Sequence, residues 1–140
     1  MTQVMVQASL DRYIPAINEP YMSEAQVAYF KEKLIRKKDE LIRKLSAVIE
    51  KIKTLESVQA DLLDRSSSYI DIDLAVKSFE RYSNMMDQVD HALERIMNGR
   101  FGYCELTGFE IGLRRLEAIP FAAMSIKALE AFEAGQPFLS

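Results

Sequence analysis

The sequence predicts an all-α protein: a long antiparallel coiled-coil hairpin with a small globular domain at its base. Three observations carry that prediction. All five glycines lie at or beyond Gly99. The 75 residues from Ser23 to Met97 contain neither Gly nor Pro, a composition that favours long helices. Within that stretch two heptad seams follow one another, separated by a polar segment.

Residues 1–22, with Tyr13, Ile14, Pro15, Ile17 and Pro20, read as an extended or irregular segment that packs on the globular domain. Ser23-Glu24-Ala25-Gln26 then forms a capping-box pattern and opens a hairpin over 23–98. Val27, Leu34, Leu41, Val48 and Leu55 recur every seven residues, and Leu45 and Ile52 complete the alternation. A second seam runs through Ile72, Ala75, Phe79, Tyr82, Met86, Val89, Leu93 and Ile96. Between the seams, residues 59–69 are rich in cap and turn formers and mark the hairpin tip. The triple serine Ser66-Ser67-Ser68 and the changed seam phase favour a hairpin over one continuous helix in a parallel dimer. Each arm should extend roughly 40–50 Å at the helical rise per residue. Asn98-Gly99 ends the return helix. Residues 99–140 form the rest of the small domain: a Gly-containing knuckle from Tyr103 to Pro120, then a last helix capped by Ser125 and running to about Glu133.

Composition narrows the function. With 49% hydrophobic and 28% charged residues, the 140-residue chain is neither disordered nor membrane-spanning. The start MTQVMVQASLDRY lacks a secretory pattern, and the single cysteine, Cys104, has no disulfide partner, so a cytoplasmic location is expected. A net charge of −3 gives the whole molecule no general attraction to nucleic acid. Nine cations between Lys31 and Lys53 stand against Glu32, Asp39, Glu40 and Glu50. A basic helix can mark nucleic-acid or membrane-surface binding, but a solvated coiled-coil flank gives the same pattern and is the preferred reading. His91 lies off the seam and reads as an ordinary surface residue. Nothing in the chain assembles a nucleophile, a base and an oxyanion site, so no enzyme is expected.

Three motifs in register carry a family resemblance. The knuckle reads Phe101-Gly-Tyr-Cys-Glu-Leu-Thr-Gly, followed by Glu110-Ile-Gly-Leu-Arg-Arg-Leu-Glu-Ala-Ile-Pro120. The tip carries Asp61-Leu62-Leu63-Asp64-Arg65-Ser66, and the first helix begins with Tyr21-Met22-Ser23-Glu24-Ala25-Gln26. Together they resemble the DksA/TraR family over about 120 of the 140 residues. The resemblance implies a zinc-finger-like knuckle with ligands spaced C-x2-C-x17-C-x2-C. Here those four places hold Cys104, Thr107, Ser125 and Ala128. A structural zinc needs about four N or S ligands, so the knuckle is degenerate and zinc is expected to be absent. Apolar packing must then offset a term of order 10–16 kcal/mol. Tyr103, Leu106, Ile111, Leu113, Leu116, Phe121, Met124 and Ile126 are the candidates, with Cys104 a small buried hydrophobe among them.

By resemblance, the protein is a DksA-like transcription regulator that binds RNA polymerase, without reading DNA sequence, and acts as a monomer. The hairpin would enter the secondary channel and bring Asp61, Asp64, Arg65 and Ser66 to the active centre, while Arg81 supports docking at the channel rim. The outcome is a change in promoter open-complex stability. Family members that respond to guanosine tetraphosphate present cations where this chain has Gln88, Ile119 and Leu129, so its response should be weak or absent. Arg114 and Arg115 are the cations that remain nearby in sequence. Two other classes share parts of the pattern: a Gre-like transcript-cleavage factor, which has a hairpin and acidic tip, and a structural coiled-coil adaptor.

Overall fold

The structure is a computed structural model that describes residues 14–61 and 65–135, with the side chains of 59–61 and 65–68 outside that description. Among the described residues four helices follow one another: α1 (Glu24–Asp61), α2 (Arg65–Met97), α3 (Leu113–Ala118) and α4 (Ile126–Glu133). Among the described residues the β structure is one isolated antiparallel bridge, Tyr103 to Glu110. No described helix is long and apolar enough to cross a membrane.

Helix α1 starts one residue after Ser23, whose Oγ accepts from the Gln26 N–H at 3.3 Å. The return half of the capping box is displaced. Gln26 Oε1 accepts from the Met22 N–H at 2.8 Å, while the Ser23 N–H donates to the Pro20 carbonyl. Gln26 is fully buried, and its amide nitrogen also donates to the Ala16 carbonyl and to Glu19. One side chain thus caps a helix and pins the segment before it.

The two long helices pair along the expected seam. Lys44, 17 residues before the end of α1, holds its ammonium 5.5 Å from the ring of Tyr82, 17 residues after the start of α2. Equal distances from the turn require antiparallel arms in register. Seam residues in the arm 36–88 are buried or half-buried, with Leu41 and Ala75 the most enclosed, because two helices cover a seam from one direction only. Described helix extends further into the polar segment, from both sides, than its composition suggested. Gln59–Asp61 and Arg65–Ser68 are helical, since Gln and Ala are good helix formers and Ser suits a helix's first turn as well as a loop. Leu62, Leu63 and Asp64 lie outside the described residues.

Helix α2 ends in a Schellman motif: the Arg100 N–H donates to the Arg95 carbonyl and the Gly99 N–H to the Ile96 carbonyl. Gly99 supplies the required positive φ of 73°. The chain divides into two compact units, one running up to Ile35 and again from Val89 onward, the other Arg36–Gln88. In the first unit Phe30, Leu34, Val89 and Ala92 from the hairpin base are buried, as are Phe101, Cys104, Ile111, Leu116 and Ala128 from the knuckle. Phe30 and Phe101 place their ring centroids 5.9 Å apart. Two expected core residues are instead on the surface: Leu106 is 45% and Ile126 54% exposed. Ile126 is the first residue of the short α4, and Ala128 turns inward in its place.

Candidate functional site

The sequence proposes a hairpin tip, a docking position on the return helix, and a degenerate metal knuckle. At the tip, Asp61 is the last residue of α1, and Arg65 and Ser66 begin α2. Their side chains, and the whole of Asp64, lie outside the described residues. In the arm, Arg81 is exposed, and its guanidinium sits 5.1 Å from the Tyr82 ring. Tyr82 therefore has two cations over its ring, Arg81 and Lys44, which limits the wandering of both. The Lys44 ammonium also pairs with Glu40 at 2.8 Å, and Glu40 reaches Lys37 at 3.6 Å. These contacts fit a solvated flank with internal charge pairing.

The knuckle shows what has become of the four ligand positions. Cys104 is 2% exposed. Burial pushes its thiol up, but hydrogen bonds from the Thr107 hydroxyl and from the N–H groups of Ser125, Thr107 and Leu106 outweigh this and bring it down to about 7. Ser125 spends its own Oγ on the Ala128 N–H at 3.2 Å, so the third position caps α4. Ala128 is buried and has no donor atom to offer. The four positions remain neighbours, joined by hydrogen bonds in place of bonds to a metal. One sulfur, two hydroxyls and a methyl do not make a structural zinc site.

Around this centre the knuckle is tied to the hairpin base. The Tyr21 hydroxyl donates to the Gly102 carbonyl and accepts from the Gly112 N–H at 2.9 Å, and its ring meets Tyr103 edge-on at 5.5 Å. Gly102, at φ 94°, lies against Met22, whose Cγ would be 2.5 Å from an added Cβ. Lys33 and the Tyr29 hydroxyl both bind the Glu117 carboxylate. Burial works to raise that carboxyl, yet the two donors hold it below the usual carboxylate range.

Sequence reasoning missed two residues here. His91 is exposed as expected, but its Nε2 lies 2.9 Å from Glu105 Oε2, joining α2 to the knuckle. Arg95 is buried at 9% exposure, and its guanidinium donates to the carbonyls of Arg100, Tyr103 and Ala123. Both line a cleft of about 510 Å³ together with Tyr103, Cys104 and Glu105. A cation in the last turn of a helix ordinarily reads as a partner of the helix dipole, so no sequence signal marks Arg95 as interior.

Of the positions expected to bear cations for guanosine tetraphosphate, Gln88 is exposed, Ile119 is 36% exposed and Leu129 is half-buried. Arg115 is committed elsewhere, its Nε donating to the Met124 carbonyl at 2.8 Å.

Comparison with known proteins places this geometry. Residues 26–96 match the family model for the N-terminal domain of the DnaK suppressor protein DksA. The chain is 40% identical over 121 residues to the RNA polymerase-binding transcription factor DksA of Caulobacter vibrioides, covering 86% of this chain and 85% of that one. It is 28% identical over 123 residues to the protein of the same name from Escherichia coli K12, covering 88% and 82%. The solved structure of transcription factor DksA2 from Pseudomonas aeruginosa aligns with a TM-score of 0.77 at 33% identity, over 92% of this chain and 96% of that one. With half of the chain matching the family model and the relatives matching through hairpin and knuckle alike, the chain belongs to the DksA family.

Proposed function

We propose that this protein is a transcription factor that binds RNA polymerase and changes the stability of promoter open complexes. The observation that carries the reading is the 40% identity to an RNA polymerase-binding factor across 86% of the chain. The arm 36–88 pairs two antiparallel helices, with Lys44 of one over the Tyr82 ring of the other, and a narrow paired arm of this kind suits entry into a channel. The factor needs no chemistry of its own. It shifts polymerase between conformations by binding one of them better than the other.

In this reading the hairpin enters the secondary channel as a monomer and reads no DNA sequence. Asp61 and Asp64, with Arg65 and Ser66 beside them, act near the active centre by accepting hydrogen bonds or by their charge. Arg81 docks at the rim, its guanidinium held over Tyr82 before binding. The site of action is the cytoplasm, where bacterial polymerase works. The knuckle folds without zinc, because the donors at positions 104, 107, 125 and 128 do not suit the metal. Guanosine tetraphosphate has little effect, since Gln88, Ile119 and Leu129 bring no charge and Arg115 is already occupied.

Binding of the purified chain to core RNA polymerase tests the reading. The expected result is a saturable complex with one copy of the chain per polymerase, displaced by another DksA protein. Absence of binding, or binding that such a relative does not displace, would overturn it.

A further inference from the structure

We propose that Arg95 is the positioning residue of the knuckle and takes over the task of joining its two limbs that a metal performs in a four-thiolate site. A metal of that kind links a first pair of ligands, here at 104 and 107, to a second pair, here at 125 and 128. The Arg95 guanidinium spans the same gap. Nη2 donates to the carbonyl of Tyr103, one residue before the first limb's Cys104, and to that of Arg100 at 3.0 Å. Nη1 reaches the carbonyl of Ala123, two residues before Ser125 on the second limb, at 3.5 Å. The same Ala123 carbonyl accepts the Glu105 N–H at 2.9 Å, and the Glu105 carboxylate lies 3.8 Å from Nη1. Arg95 is fixed in return, because its own carbonyl accepts the Arg100 N–H.

The chemistry suits the task. Guanidinium presents five N–H donors in a plane and keeps its charge at any physiological pH, so it can gather several carbonyls at once. A buried cation is tolerated where its protons are satisfied and a carboxylate stands near, as Glu105 does. Backbone carbonyls are available to every sequence, so beyond the Glu105 carboxylate the clasp needs no particular side chains and no thiol. The Cys104 sulfur, surrounded by N–H and O–H donors, is the interior of the assembly, and Arg95 is its brace. The inference does not rest on the polymerase reading.

Two substitutions in the full chain test it: Arg95→Met, which keeps an unbranched apolar stem but removes every donor, and Arg95→Lys, which keeps the charge but offers three donors from one atom. The readouts are the rate at which a soluble disulfide reagent modifies Cys104, and amide hydrogen exchange in the knuckle and in the arm 36–88. In Arg95→Met, Cys104 modification should accelerate by about tenfold or more, and knuckle amides should exchange faster, while arm amides keep their protection. Arg95→Lys should fall between that variant and the parent. Parental rates in Arg95→Met would overturn the proposal. Equal loss of protection in arm and knuckle would also overturn it, since Arg95 would then be a general core residue.

Discussion

Cys104 shows how one side chain can change task when its partners do. The sequence marks it as a lone thiol, at the first of four places that by family resemblance would hold zinc ligands, and the structure buries it. What the sequence does not show is the ring of donors from Thr107, Ser125 and Leu106 that makes its thiolate easy to form. Backbone N–H groups carry no sequence signature, so this property becomes visible only once the loop is folded. A thiol lowered from its ordinary 9.0 to about 7 adds stability that is fully present above pH 9 and is lost as pH falls through 7. Titration by ultraviolet thiolate absorbance should therefore give a midpoint at about 7 in the folded chain. The stability advantage of the parent over Cys104→Ala should also grow between pH 7 and 9. A midpoint near 9 would contradict the hydrogen-bonded arrangement. Arg95 is the opposite case, a residue whose charge reads as surface and whose position is interior.

At the level of elements, most of the hairpin was legible because a heptad seam is a repeated signal that a single residue cannot obscure. Every assigned seam position in both helices is buried or half-buried. The turn was less legible. Serines and aspartates serve loops and helix first turns equally, so composition placed the break across 59–69, while described helix continues to Asp61 and resumes at Arg65. The capping box was found at the right residues, but with Gln26 reaching one residue further back than the pattern requires. Seam and flank should differ sharply in energy. Leu41→Ala removes a fully enclosed side chain and should cost about 2–5 kcal/mol. Ile49→Ala, on the flank at 39% exposure, should stay within about 1 kcal/mol. Urea denaturation of both variants measures the contrast, and equal losses would mean that the arms pair in another register.

For the whole molecule, the small domain was expected to be held by apolar packing, and of the expected residues Cys104, Ile111 and Leu116 are buried, together with Phe101. Leu106 and Ile126 were misplaced because an irregular loop has no periodicity from which to assign an inward face. Hydrogen bonds from Tyr21, Arg95 and Ser125 contribute what the apolar list alone would lack. Purified protein should accordingly hold well under one zinc per chain, and a strong chelator should leave its melting temperature unchanged. Stoichiometric zinc would show that other donors complete the site. The side chains proposed to act at the tip lie outside the described residues, and the proposal for them is carried by Asp61-x-x-Asp64 and by the family. The most direct measurement is the lifetime of open complexes at a ribosomal RNA promoter, with polymerase saturated by the parent chain or by the Asp61→Asn, Asp64→Asn double variant. The parent should shorten that lifetime, and the double variant should bind polymerase within a few-fold of the parent yet leave the lifetime unchanged. A double variant that shortens the lifetime as the parent does would contradict the proposed action of the tip.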